Sequence, residues 1–409
     1  MLASLFFSSV PSFTDHPGPG AGAFFALLAA AGSLLLFAQM VMLRRWVNRS
    51  PEPVTPSRAN ISVLRPLAGL EDDTERLLQE AVERLGPQDE LLLGTASETD
   101  PAAALADRFA AANPDRVRHI RTDRGAALNP KVAQLIGLTA SARGAILVVS
   151  DSNVRLPEGY FDDIAAHLSK PDFGLCTHAV CGEGARTLGA WLDNIHLGSG
   201  VGGGVVAAKL LSGQDIVVGK SMAFRREVLH ALGGWRSCSE VLAEDYVMGR
   251  RVNEELGLRV AISRLVVRQV TSSRSVRGYL DRFGRWGTMQ RFAVGLPVYL
   301  AQGLLTPVVL AAAGLLIEPS RAGIFVLGVA WTARVAVDIA SLRLLVAPLP
   351  PLWSWPLLPL RELTTFRCWL RGLVVRHVDW RGNRLRVTHG TRLVSDARPA
   401  LSSATLAQR

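Results

Sequence analysis

The chain has 409 residues, long enough for one large α/β domain plus a membrane part. Apolar residues make up 49%, and the excess sits in the first ~45 positions and from about 290 to 360, which excludes a wholly soluble globule. The 45 basic and 35 acidic residues leave a net charge of +10; no basic run is interleaved with aromatics and many arginines flank apolar stretches, so a membrane rather than nucleic acid is the expected partner.

In chain order, Ala23 to Leu43 is uncharged and almost wholly apolar, with Gln39 its one strongly polar side chain, and it can cross about 30 Å of hydrocarbon. Arg44, Arg45 and Arg49 follow it and nothing basic precedes it, the reverse of a cleaved signal peptide. The expectation is an anchor over 23–43, with residues 1–22 outside and residue 44 onward in the cytoplasm. The wealth of Arg, Ala and Gly, with Lys only at Lys131, Lys170, Lys209 and Lys220, suggests a bacterial inner membrane.

A cytoplasmic domain is expected over 50–291. Strand-like patterns at Ile61–Leu64, Glu90–Gly94, Val117–Ile120 and Ala145–Ser150 alternate with helix-like ones at Asp73–Leu85, Pro101–Ala112 and Pro130–Ala142. This predicts an α/β, mostly parallel sheet with helices on both faces and a ligand site at the carboxyl ends of its strands.

Residues 292–317 carry no charge and read as a second transmembrane helix, and 322–346 as a third. The third contains Arg334 and Asp338, four apart on one face, which suits a structural ion pair between helices or a place at a lipid entrance. Residues 347–380 open with a Pro- and Trp-rich stretch and continue into Thr364 to His377, where Arg367, Arg371 and Arg376 stand among apolar residues. That composition fits an interfacial or re-entrant segment. Residues 381–409 read as a basic, mobile cytoplasmic tail. The four cysteines, Cys176, Cys181, Cys238 and Cys368, form no CxxC unit and read as reduced, small apolar residues.

Three local patterns can carry chemistry. Asp151-Ser152-Asn153 leaves the buried strand at 145–150, where Asp151 and the Asn153 carbonyl could hold a divalent ion with diphosphate oxygens; the same pattern also suits an ordinary turn. Glu244-Asp245 opens a helix, as a dipole or capping device or as a base that deprotonates an acceptor hydroxyl. Arg282-Phe283-Gly284-Arg285-Trp286 precedes the second span, either as an interfacial belt or as a diphosphate clamp beside an indole facing the acceptor. Asn129-Pro130-Lys131 places Lys131 near a helix N-terminus, and Gly219 before Lys220 permits close backbone approach.

These pieces stand in one order with Ser62-Val63-Leu64-Arg65-Pro66-Leu67-Ala68-Gly69, Asp100-Pro101 and Trp380-Arg381-Gly382. Together they resemble the ceramide glucosyltransferases and their bacterial relatives, including hopanoid-modifying enzymes, of glycosyltransferase family 21 within the larger family 2-like GT-A group. The resemblance implies a GT-A domain that transfers a sugar from a UDP-sugar to a lipid with inversion. It implies Mg2+ or Mn2+ on Asp151 and Asn153, and an acidic residue of Glu98 or Asp100 on the uridine. It makes Asp245 the catalytic base, with Arg282, Arg285 and Trp286 completing the donor and acceptor site, while Lys131 and Gly219 support the donor. Where an Asp is common in the group, position 153 is Asn. The function expected is glucose transfer from UDP-glucose to ceramide. The alternatives are a hopanoid N-acetylglucosaminyltransferase, another glycolipid synthase acting on diacylglycerol, or a catalytically silent membrane scaffold. Three spans are too few for a polymer-conducting synthase.

Overall fold

β-branched and leucine-rich runs form the centre of the sheet. β1 (Ile61–Pro66), β2 (Glu90–Thr95), β3 (Val117–Arg121) and β4 (Ile146–Ser150) lie parallel in the spatial order β3-β2-β1-β4. Pro66 ends β1 because it has no N–H to continue a ladder. The second half follows as β5 (Val154–Arg155), β6 (Phe173–Glu183), β7 (Ser221–Arg225) and β8 (Arg259–Val270). Here β7 runs antiparallel between β4 and β6, β8 runs parallel to β6, and β5 closes the edge antiparallel to β8. The reversal at β4 and β7 puts the end of β4 opposite the start of β7, with Ser150 paired to Ser221.

The computed structural model describes residues 20–49, 59–380 and 383–395. One hydrophobic layer joins the sheet to helices Thr74–Arg84, Pro101–Ala112 and Tyr160–Leu168 through Leu78, Phe109 and Ile164. The other joins it to helices Pro130–Ser141 and Glu244–Glu254 through Leu135, Leu138, Met248 and Val252. The expected elements of this domain stand within two residues of their expected ends, because each has a clear period and a physical stop. Asp100 and Asn129 cap their helices, each followed by Pro at the first helical position.

Helices Ala21–Val47 and Arg321–Leu344 are long and apolar enough to cross a membrane. They pack with helix Pro307–Ile317 around Ala29, Val308, Ala311 and Ala330, while Phe24, Leu34, Phe37 and Phe325 face outward. The second expected span, over 292–317, is not one unbroken helix. Helix Val276–Val294 stops at Gly295, whose φ of +82° suits only glycine, and the remainder bends by 80° where Leu296–Leu305 meets Pro307–Ile317. Pro307 begins a new helix rather than continuing the old one.

Gln39 donates to the carbonyls of Ser199 and Gly200, at 3.2 and 3.3 Å, inside the π-helical turn His196–Gly202. The anchor therefore docks on the α/β domain through its one strongly polar group. Arg334 and Asp338 pair at 3.0 Å, and Arg361 reaches the same carboxylate at 3.0 Å. The neighbouring Glu362 accepts the N–H groups of Val308 and Val309 at the start of helix Pro307–Ile317, a favourable place for an anion. Charges in the apolar region thus face protein and tie helices together.

The tail reading is also corrected. β9 (His377–Trp380), β10 (Asn383–Val387) and β11 (Leu393–Ser395) form a three-stranded antiparallel sheet. Alternation puts Val378, Leu385, Val387 and Leu393 on one face against Leu242. Most of the 1–22 segment, Arg381-Gly382 and the chain after Ser395 fall outside the described residues.

Candidate active site

At the end of β4 the chain turns, and Asp151 stands with both oxygens on lysines. Lys131 Nζ lies 3.1 Å from Oδ1 and Lys220 Nζ lies 2.6 Å from Oδ2. Lys131 is delivered by the first turn of its helix, where the Asn129 side-chain oxygen accepts from the N–H groups of Lys131 and Val132. The Asn129 amide donates onward to the Val241 carbonyl and to Glu244. Burial alone would raise the Asp151 carboxyl, but the two ammonium groups hold it well below the usual carboxylate range. They hold it ionised at neutral pH.

Lys131 also meets Glu244 Oε1 at 3.0 Å and the Gly219 carbonyl at 3.0 Å. The Gly219 N–H donates to Asp245 Oδ2 at 2.6 Å, and the Tyr246 N–H to Oδ1 at 2.8 Å. Asp151, Lys131, Gly219 and Asp245 therefore form one continuous chain of contacts. A Cβ at position 219 would sit 2.8 Å from Asp245 Oδ2 and 2.9 Å from Lys131 Nζ, so a side chain there would displace both groups. Burial first, and the Glu244 charge second, push the Asp245 carboxyl up to about 6, against the pull of Lys131 and the two N–H donors. A carboxylate so placed is ionised at neutral pH yet basic enough to take a proton.

The C-terminal sheet props this region. The Leu242 N–H donates to the Thr391 carbonyl at 2.9 Å, and the Leu393 N–H to the Glu240 carbonyl at 2.7 Å. Thr391 is fully buried at a φ of +60°, a strained setting for a β-branched residue. Nothing in the sequence near Asp245 announces this support, because it comes from about 150 positions downstream.

A cavity of about 150 Å³ opens beside Asp151, lined by Pro66, Ala68, Glu71, Lys131, Asn153 and Lys220 among others. Lys220 Nζ lies 2.6 Å from Asp151 Oδ2 and 3.4 Å from Asn153 Oδ1, so a cation already stands between the two oxygens. One carboxylate and one carboxamide oxygen are hard ligands of the kind that Mg2+ or Mn2+ takes, with the remaining positions left to water or phosphate. The residues fit a divalent ion.

The other expected site residues divide. Arg282 is buried, and its guanidinium is held by both oxygens of Asp193 at 3.0 and 2.9 Å and by Gln269 at 2.6 Å. Arg274 shares Asp193 at 3.0 Å. Arg282 also lies 5.2 Å from the Trp286 ring centroid, so its visible work is to set the indole and the helix. Arg285 forms no ion pair with a described carboxylate. Burial, then the charges of Arg282 and Arg274, lowers its affinity for its proton.

Asp100 accepts from the N–H groups of Gly69 and Ala102 at 2.8 and 2.9 Å, and Glu98 pairs with Arg121 on the surface. Neither lines the cavity beside Asp151. Asp193 and Lys220 are the partners that sequence reasoning missed. Lys220 follows the singled-out Gly219, while Asp193 is marked only as an acidic residue in an apolar helix.

The chain is similar to known glycosyltransferases. A ceramide glucosyltransferase of Caenorhabditis elegans is 30% identical over 162 residues, which cover 39% of this chain and 34% of that protein. A ceramide glucosyltransferase of Komagataella phaffii is 27% identical over 123 residues, covering 29% of this chain and 24% of that one. The matches thus span about a third or less of each relative's length. The fold is similar to that of a mannosyltransferase from Pyrobaculum calidifontis, determined in complex with GDP-Man and Mn2+, at a TM-score of 0.50 and 20% identity over 87% of this chain and 99% of that one. The sheet with its reversed strand is of the GT-A type. The model of glycosyl transferase family 21 matches residues 24–393, nearly the whole described chain, and the protein belongs to that family.

Proposed function

We propose that this protein transfers a hexose from a UDP-sugar to a hydroxyl of a membrane lipid by a single inverting displacement. The observation that carries the reading is the linkage of Asp151 to Asp245 through Lys131 and Gly219, on an α/β domain fastened to apolar helices. Asp245 takes the proton of the acceptor hydroxyl as its oxygen attacks the anomeric carbon. The bond from that carbon to the β-phosphate oxygen breaks, and its electron pair leaves with the nucleoside diphosphate. Lys131, Lys220 and Arg285 meet the negative charge that grows on the leaving group. Asp151 and Asn153 would hold Mg2+ or Mn2+, which supplies further charge neutralisation there.

The finer reading is glucose from UDP-glucose onto ceramide, supported by the names of the two relatives; a hopanoid polyol is the second acceptor to test. The catalytic domain lies on the cytoplasmic side of a bacterial inner membrane, as Arg44 and Arg45 at the end of the anchor support. The test pairs UDP-glucose, UDP-galactose and UDP-N-acetylglucosamine with ceramide, diacylglycerol and a hopanoid polyol, using protein purified in detergent and mass spectrometry of the lipid. Hexosylceramide is the expected product. Transfer to the hopanoid alone replaces the acceptor, and no transfer to any lipid overturns the proposal.

A further inference from the structure

Beneath the site, on the opposite side of β6, lies a second cluster that the transfer reaction does not use. Helix Tyr160–Leu168 presents Asp163 and His167, four apart and therefore on one face. The strand beneath presents Cys176 and His178, two apart and on one face. Cys176 and His178 are fully buried. A ligand atom from each of Asp163, Cys176 and His178 lies within 4.8 Å of the others.

His178 Nε2 and Asp163 Oδ2 are 3.8 Å apart, too far for a hydrogen bond. Both are buried without a hydrogen-bond partner among the described residues, as is His167 Nδ1. Orphaned buried polar atoms are rare and costly, and those of Asp163 and His178 converge with the Cys176 thiol. On the far side of the ring, His178 Nδ1 meets Ser221 Oγ at 2.8 Å, and Ser221 Oγ meets the Tyr160 hydroxyl at 2.6 Å. If Nδ1 carries the proton toward Ser221, Nε2 points its lone pair into the cluster, the arrangement that orients metal-binding imidazoles.

We propose that Asp163, Cys176 and His178 bind a structural Zn2+ that fastens helix Tyr160–Leu168 to β6. Thiolate, imidazole and carboxylate on one tetrahedral centre select Zn2+ over Mg2+ or Mn2+, so this ion is distinct in chemistry from the one proposed at Asp151. Its place explains what it would do. It pins helix Tyr160–Leu168 to β6, and the first residue of that helix holds Ser221, the neighbour of Lys220. The site needs no CxxC unit, because the fold brings one helix face onto one strand face.

The test is elemental analysis of the detergent-purified full chain, prepared without chelator and desalted. One zinc per chain is expected, falling to background in Cys176→Ser and in His178→Ala. Because either variant could fail to fold, Co2+ is also loaded into the wild-type protein. A thiolate-to-Co2+ charge-transfer band with four-coordinate ligand-field bands is expected, and Zn2+ but not Mg2+ displaces it. Ser221→Ala should weaken Zn2+ binding about 10- to 100-fold. Zinc retained by Cys176→Ser, or folded wild-type protein that holds no zinc and gives no thiolate band with Co2+, overturns the proposal.

Discussion

Replacing Asp245 by Asn removes an ionisable group while keeping its shape, and the structure separates the two costs. Oδ2 accepts the Gly219 N–H at 2.6 Å and Oδ1 the Tyr246 N–H at 2.8 Å. An amide keeps one of these acceptances and turns its own N–H groups toward the other donor. One partly buried N–H is left unsatisfied, at a cost of about 1–3 kcal/mol in stability. Loss of the base costs about 10²- to 10⁴-fold in kcat. The pH dependence distinguishes the base from a merely structural carboxylate. With the carboxyl held at about 6, its ionised fraction falls from about 90% at pH 7 to about 10% at pH 5, so kcat/KM should fall about tenfold across that interval. The ionised form is the active one, so activity rises with pH through this limb. Hexosyl transfer measured from pH 5 to 8, beside donor affinity measured directly, is the assay. The Asn variant should bind donor normally, turn over at the reduced rate and lose the limb near pH 6. Turnover within a few-fold of wild type, or an unchanged limb, would refute the assignment of the base.

Chelation with EDTA should stop transfer, and Mg2+ or Mn2+ should restore it; full activity in chelator would remove the metal from Asp151. Asp193→Asn removes the buried counter-charge of Arg282 and should cost about 3–5 kcal/mol, read as a lowered thermal midpoint in detergent; an unchanged midpoint would show that the pair is not structural. Protease added outside intact cells should spare residues 50–290, and cleavage there would reverse the proposed orientation.

The sheet and its helices were legible because their signals are local. A buried run such as Ile146–Ser150, or a Pro just after a capping Asp or Asn, needs no distant partner to be read. The places of Asp151 and Asp245, at a strand end and a helix start, were legible for the same reason, while the roles expected of them rest on the family resemblance. Arg282 was legible as a motif, but not its engagement by Asp193, which lies 89 positions away. Lys220 reaches Asp151 across 69 positions in the same way. The breaks within 292–317 were not legible, because composition counts apolar residues and does not register that Gly295 and Pro307 break the backbone. The C-terminal sheet was missed because its strands are short and basic, with Leu385, Val387 and Leu393 as its sparse apolar signal.

The most direct test of inverting transfer is the configuration of the product. Purified protein given an α-linked UDP-sugar and an acceptor lipid should yield a β-linked hexosyl lipid, assigned by NMR, and Asp245→Asn protein should yield it only at the greatly reduced rate. An α-linked product would contradict single displacement by Asp245, and no hexosyl lipid with any donor and acceptor pair would contradict the account as a whole.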